Sequence, residues 1–195
     1  MRQPPSPSRD ALRRELRARR RALPPAQRAA ATRAVLAALA RSPLLRPGRE
    51  VALYMATGSE LPTGALLRLA LARGCRVSLP RISDHGAGRM QFIRWRGGAL
   101  RTGRFGLREP RGAGVVPPQR LQLVLLPLTG FDRTGLRIGS GAGYYDRAFA
   151  SRRARRGAPL LVGVAFEAQR MPPLPRAAHD VPLDMIATER GLHAF

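Results

Sequence analysis

The chain contains no lysine and no asparagine. The missing lysine excludes a Walker A phosphate loop, a Schiff-base mechanism and a lysine general base. A single cysteine, Cys75, excludes an internal disulfide and a multi-cysteine zinc site, and a reducing cytoplasm is the simplest setting for it. No apolar run approaches the ~20 residues of a membrane span, so no membrane partner is expected. The opening MRQPPSPSRD carries no apolar segment of the secretory kind, and residues 1–8 are read as a short disordered lead. Acidic residues are scarce, 12 against 35 basic, and aromatic residues make up only 5%.

With lysine absent, all 35 basic residues are arginine and the formal net charge is +23. Such a charge at face value suggests nucleic acid. Arginine, alanine, glycine and proline are abundant together, however, which is the product of a GC-biased coding sequence without selection for a polyanion. A nucleic-acid partner is therefore not expected. At 195 residues the chain is read as one domain over 9–195, expected as a monomer. A chain of this size buries roughly 70% of its unfolded surface.

Residues Ser8 to Ala22 have helical spacing, with Leu12 and Leu16 on one side and Arg9, Arg13, Arg17 and Arg20 read as a basic face. Pro24 and Pro25 end this helix, and a second is expected from Ala26 to Ala40. Short apolar strands then alternate with helices. Strands are predicted at Glu50–Met55, Arg76–Leu79, Met90–Trp95, Leu121–Leu126, Leu160–Ala165 and Asp184–Thr188. Helices are predicted at Leu61–Arg73 and Ala142–Arg153. Ser83–Arg89 reads as a turn, Gly97–Pro118 as a long surface loop and Met171–Pro182 as irregular. The alternation predicts an α/β fold, a three-layer α/β/α arrangement with a mostly parallel central sheet and an N-terminal helical segment. Ligands of such sheets sit beyond the carboxyl ends of the strands.

At one such end lies GFDRTGLRIGSGAGYYDR, Gly130 to Arg147. Gly139, Gly141 and Gly143 alternate directly before a predicted helix. Glycine permits φ > 0 and leaves the backbone uncovered, so several N–H groups are free to turn toward one anion. The spacing is not that of a dinucleotide fingerprint. A phosphate with its magnesium ion is the natural guest, since magnesium takes one or two carboxylates plus phosphate oxygens and water.

Asp132, Asp146 and Asp180 are the carboxylates available for it. The competing reading makes Asp132 a turn cap, Asp146 an answer to the helix dipole and Asp180 an exposed loop acid. Arg133 and Arg137 offer forked donors to phosphate oxygens. Tyr144 and Tyr145 serve either to stack or donate at a ligand, or simply to pack a helix. Glu60, the one acid between Val51 and Ile82, reads equally as an acceptor for heterocycle N–H groups or as a first-turn helix acid. His179 reads as a surface histidine and Cys75 as a small buried hydrophobe.

These residues resemble the 5-formyltetrahydrofolate cyclo-ligase family, also called 5,10-methenyltetrahydrofolate synthetase. The likeness runs from Arg9 to about Leu192. GFDRTGLRIGSGAGYYDR carries it most specifically. LRRELRARR, ALYMATGSELPT, LPRI, FGLREP (Phe105–Pro110) and HDVPLDMIATERG follow the family order. The resemblance implies a cytoplasmic ligase of one-carbon metabolism that uses ATP and Mg2+. It would convert 5-formyltetrahydrofolate to 5,10-methenyltetrahydrofolate through a phosphorylated formyl intermediate. It also implies that Arg9, Arg13, Arg137, Ile138, Gly139, Ser140, Gly141, Ala142, Gly143, Tyr144 and Tyr145 bind ATP. Met55, Glu60 and Tyr145 would line the folate pocket, Asp146 and Asp180 would hold magnesium, and Arg137 and Tyr145 would be catalytic. Arginine stands at position 9 where the family usually has lysine. Ser140 and Ala142 also depart from its common residues, and a positive φ at Ala142 would be strained. The alternatives are an RNA-binding protein on the same scaffold with a weakened ATP site, and an isomerase-like enzyme acting on sugar phosphates. The scarcity of aromatics opposes the first; the N-terminal arginine helix and paired aspartates are superfluous for the second.

Overall fold

The computed structural model describes residues 8–84, 86–103, 106–154 and 159–195. Phe105 of the FGLREP motif, Arg155 and Arg156 of the arginine run and residues 1–7 of the expected lead lie outside them.

Helix α1 (Arg9–Ala22) starts where Ser8 accepts a hydrogen bond from the Ala11 N–H at 3.2 Å, an N-cap that satisfies one of the first turn's free donors. It ends before Pro24, and α2 (Pro25–Arg41) begins with proline at its first position, where no N–H is needed. The sheet strands follow as β1 (Glu50–Ala52), β2 (Arg76–Asp84), β3 (Arg89–Arg94), β6 (Val115–Val116), β7 (Leu123–Pro127), β10 (Leu160–Val164), β11 (Met185–Thr188) and β12 (Gly191–Ala194). Two small pairs stand apart from that sheet: β4 (Leu100–Thr102) with β5 (Arg108–Pro110), and β8 (Gly130–Phe131) with β9 (Arg137–Ile138).

The eight-stranded sheet has the order β12-β11-β10-β7-β1-β2-β3-β6. Its five central strands, β11 to β2, are parallel; β12 runs antiparallel to β11, β3 to β2, and β6 to β3. Strand alternation divides the core into two layers. Leu123 and Leu125 of β7 join Val35 and Leu39 of α2 and Leu66, Leu67 and Ala70 of α3 (Gly64–Ala72) on one face. Val124 and Leu126 join Phe92, Phe131 and Phe149 on the other. This is the three-layer arrangement expected.

Several boundaries differ from the sequence reading. Helix α3 begins at Gly64, not Leu61, because the Thr63 hydroxyl donates to the Tyr54 carbonyl at 2.6 Å and accepts the Ala56 N–H at 3.2 Å, closing a turn instead of starting the helix there. The expected loop Gly97–Pro118 contains β4, β5 and β6. It is drawn inward by buried Glu109, which accepts the Ile82 N–H at 3.1 Å. Strand β2 runs on to Asp84, so the turn after it is shorter than read. The helix expected over 142–153 is α4 (Tyr144–Ala148) followed by a 3-10 turn at Ala150–Ala154. Strand β12 was not foreseen; it pairs with β11 from Met185↔Ala194 to Thr188↔Gly191.

Candidate active site

Helix α1 lies on the strand that leads into the glycine loop. Leu12 and Leu16 form a small apolar cluster with Ile138 of β9 and Met171. Contact this close requires a bare backbone beneath the helix: a Cβ at Gly130 would stand 2.4 Å from Leu16 Cδ1. The basic side of α1 then reaches the loop. Arg13 Nε donates to the Gly139 carbonyl at 3.1 Å, and an Arg17 guanidinium N–H donates to the Ser140 carbonyl at 3.1 Å. Arg147 of α4 holds the Ala142 carbonyl from the other side. Three successive arginine contacts thus fix carbonyl groups, while residues 139–142 remain exposed. The left-handed angles fall on Gly141 (φ +119°) and Gly143 (φ +65°), which flank Ala142.

Beside this loop opens a cavity of about 310 Å³, lined by Gly141, Ala142, Gly143, Asp146, Asp180 and their neighbours. The two aspartates, 34 positions apart in sequence by subtraction of their numbers, therefore share one wall. Asp146 receives an Arg137 guanidinium N–H at 2.7 Å and the Val181 N–H at 3.1 Å, both on Oδ1. Its Oδ2 makes no hydrogen bond among the described residues. Asp180 is gripped at both oxygens by Arg9, at 2.9 and 2.5 Å, and accepts the Ala177 N–H at 2.7 Å. The Arg9 contact, aided by that N–H, holds the Asp180 carboxyl below its ordinary range. Arg137 is buried; it donates to the Val181 carbonyl and stands behind Asp146 without facing the cavity. Arg133 is exposed on the neighbouring turn.

The other conspicuous residues divide by contact. Asp132 is wholly buried and caps a turn: Oδ1 accepts the Thr134 N–H and hydroxyl and the Leu136 N–H, and Oδ2 accepts the Leu174 N–H. It is structural. His179 is an exposed side chain whose Nε2 lies 3.9 Å from Asp180 Oδ1. Cys75 is buried, as expected of a small hydrophobe.

A second group of polar residues gathers at the carboxyl end of β1. Glu60 precedes α3 instead of lying in its first turn, and its carboxylate accepts the Thr57 N–H at 2.9 Å. Burial pushes its carboxyl up, opposed by the Thr57 hydrogen bonds and by Arg20. Arg20 is buried, not part of the basic face. It donates to Ser59 Oγ at 3.0 Å, while Arg28 donates to the Ser59 carbonyl at 2.7 Å. Met55 is partly buried in the same turn. Tyr145 of α4 feels the Glu60 charge, and burial raises its phenol far above the ordinary value, so it remains neutral. The sequence reading puts Arg20 on the basic face, although the four-residue spacing Leu12, Leu16, Arg20 places it on the buried stripe of α1.

A family model, that of 5-formyltetrahydrofolate cyclo-ligases, matches residues 5–189. The chain belongs to this family. Among curated relatives, the 5-formyltetrahydrofolate cyclo-ligase of Mycolicibacterium smegmatis is 34% identical over 195 residues, covering 96% of this chain and 97% of that one. The Escherichia coli K12 enzyme is 31% identical over 176 residues, covering 89% and 96%. The solved structure of Aquifex aeolicus 5,10-methenyltetrahydrofolate synthetase superposes with a TM-score of 0.80 at 29% identity, covering 95% of this chain and 92% of that one. The chain is thus a member of a ligase family, and the cyclo-ligase signature is the segment that lines the open cavity.

Proposed function

We propose that this protein closes 5-formyltetrahydrofolate to 5,10-methenyltetrahydrofolate, with ATP as phosphoryl donor and release of ADP and phosphate. The observation that carries this reading is the convergence of the glycine loop, Asp146 and Asp180 on one open cavity, in a chain of the cyclo-ligase family.

A formamide oxygen is a poor leaving group. Its attack on the γ-phosphorus expels ADP and leaves an iminium phosphate. N10 of the same folate then attacks the activated carbon, the C–O bond breaks, phosphate departs with the former formyl oxygen, and the N10 proton is released. Because N10 is tethered, the reaction needs no protein nucleophile; it needs orientation and neutralisation of phosphate charge.

The residues fit that demand. The triphosphate runs along Ile138, Gly139, Ser140, Gly141, Ala142, Gly143, Tyr144 and Tyr145, whose carbonyls are held back by Arg13, Arg17 and Arg147. Asp146 and Asp180 would hold magnesium, which would supply neutralisation of the phosphate charge. The unengaged Oδ2 of Asp146 and the shared cavity wall suit an ion that takes one or two carboxylates and completes its shell with phosphate and water. Arg9, which grips Asp180, and Arg13 would contact the nucleotide phosphates. Arg137 supports catalysis by orienting Asp146. Glu60 and Met55 receive the folate ring, with neutral Tyr145 between folate and nucleotide. The cytoplasm, which holds both substrates, is the proposed setting.

The test is direct. Purified protein, 5-formyltetrahydrofolate, ATP and magnesium should together generate the methenyltetrahydrofolate absorbance, and omission of any one should abolish it. Asp146→Asn should lower kcat by at least about a hundredfold with unchanged circular dichroism, since catalysis here is mostly positioning and charge. Full activity of that variant would remove Asp146 from the site.

A further inference from the structure

Tyr54, just beyond β1, has its side chain in the core, where it is 3% exposed. Its hydroxyl is shielded from solvent and has no hydrogen-bond partner among the described residues. Buried phenol groups ordinarily find one, and each exception calls for a physical reason. The ring is not there by loose packing, because its own carbonyl is clamped by the Thr63 hydroxyl at 2.6 Å. The ring packs in the apolar core, and Glu60, on the turn closed by the Thr63 contacts to Tyr54 and Ala56, is among the ionisable groups that act on its hydroxyl. Arg20 is engaged by Ser59, and Glu60 by Thr57.

An ionised Glu60 offers acceptors only. A fused heterocycle of the folate class presents N–H donors beside a ring carbonyl, so a carboxylate alone would leave that oxygen unmatched. A neutral phenol from the same turn as the carboxylate completes the donor and acceptor pattern. Burial keeps the Tyr54 phenol in that neutral, donating form.

We propose that the Tyr54 hydroxyl is a substrate-binding group, donating a hydrogen bond to the ring carbonyl of the heterocycle whose N–H groups Glu60 accepts. The inference rests on the folate reading above. Among the described residues this hydroxyl has no partner, and the substrate supplies it; a site built to bond a substrate group in this way also rejects analogues lacking it.

Tyr54→Phe removes one oxygen and little else. Titration of the intact protein with 5-formyltetrahydrofolate, with steady-state kinetics in both substrates, should show folate Kd and KM raised about five- to tenfold. The KM for ATP should stay unchanged. The thermal midpoint should hold or rise, because the substitution deletes an unsatisfied buried group. Parental folate affinity in the variant overturns the proposal. So does a lowered midpoint with both KM values raised, which would make the hydroxyl a structural group. If the parent chain itself neither binds nor cyclises the folate, the proposed function falls, and this assignment with it.

Discussion

Glu60 and Asp180 show how one residue type of charge is tuned in opposite directions. Glu60 loses solvent, and the Thr57 hydrogen bonds and the Arg20 charge do not offset that, so its carboxyl is raised; Asp180 gains two guanidinium hydrogen bonds, so its carboxyl is lowered. In the folate role proposed for it, Glu60 would accept N–H groups at both oxygens only when ionised. Folate affinity should therefore fall as pH drops through a pKa above the ordinary glutamate value of 4.5. Glu60→Gln should weaken folate binding while leaving the ATP KM unmoved, and should flatten that acid limb. Folate titrations across pH on both proteins measure it; an unchanged limb would assign the titration to another group. Asp132 makes the opposite point. It stands in the signature segment with the residues of an acidic ligand, yet four hydrogen-bond donors occupy it and leave a turn cap.

Among the elements, α1 and the glycine loop form a unit. The helix presents Leu12 and Leu16 to β9 and Arg13 and Arg17 to the loop carbonyls, so its packing sets the loop's shape. The closeness of that contact depends on Gly130. Gly130→Ala should destabilise the fold by about 1–3 kcal/mol through overpacking against Leu16. Leu16→Ala in the same chain should relieve the clash, so the double variant should be more stable than the sum of the two single losses. Thermal unfolding of the four proteins gives the coupling energy, and strict additivity would mean that the helix adjusts freely. Helical spacing makes α1 legible in the sequence. Its partner is not, because periodicity reports which face is buried and not what buries it. The short α4 and the strands within 97–118 were misjudged for a related reason: glycine- and proline-rich segments carry weak local preferences, and contacts such as Glu109 to Ile82 decide their form.

In the whole molecule, the Arg9–Asp180 pair joins the first helix to a segment 171 residues away. Because the folded Asp180 pKa lies below its ordinary value of 3.8, the pair's stabilisation is fully present above that value and is lost as pH falls through the lower folded one. Arg9→Gln should cost about 1 kcal/mol at neutral pH, as partly exposed ion pairs do, and the difference from the parent should vanish in strong acid. Urea midpoints at pH 7 and below pH 3.8 test this; a pH-independent difference would leave only lost packing. The +23 charge meanwhile has local structural uses: arginines hold backbone carbonyls at Gly139, Ser140, Ala142, Ser59 and Val181.

The amino-acid order by itself determined the alternation of apolar strands and helices, and hence a mostly parallel α/β sheet, because burial periodicity is a local property. It also determined the glycine loop, since positive φ at Gly141 and Gly143 is written in residue type. What only the tertiary structure decided is which polar groups share a space. Asp146 with Asp180, and Arg20 with Ser59 beside Glu60, join segments that sequence distance keeps apart, and contact across such gaps has no local signature.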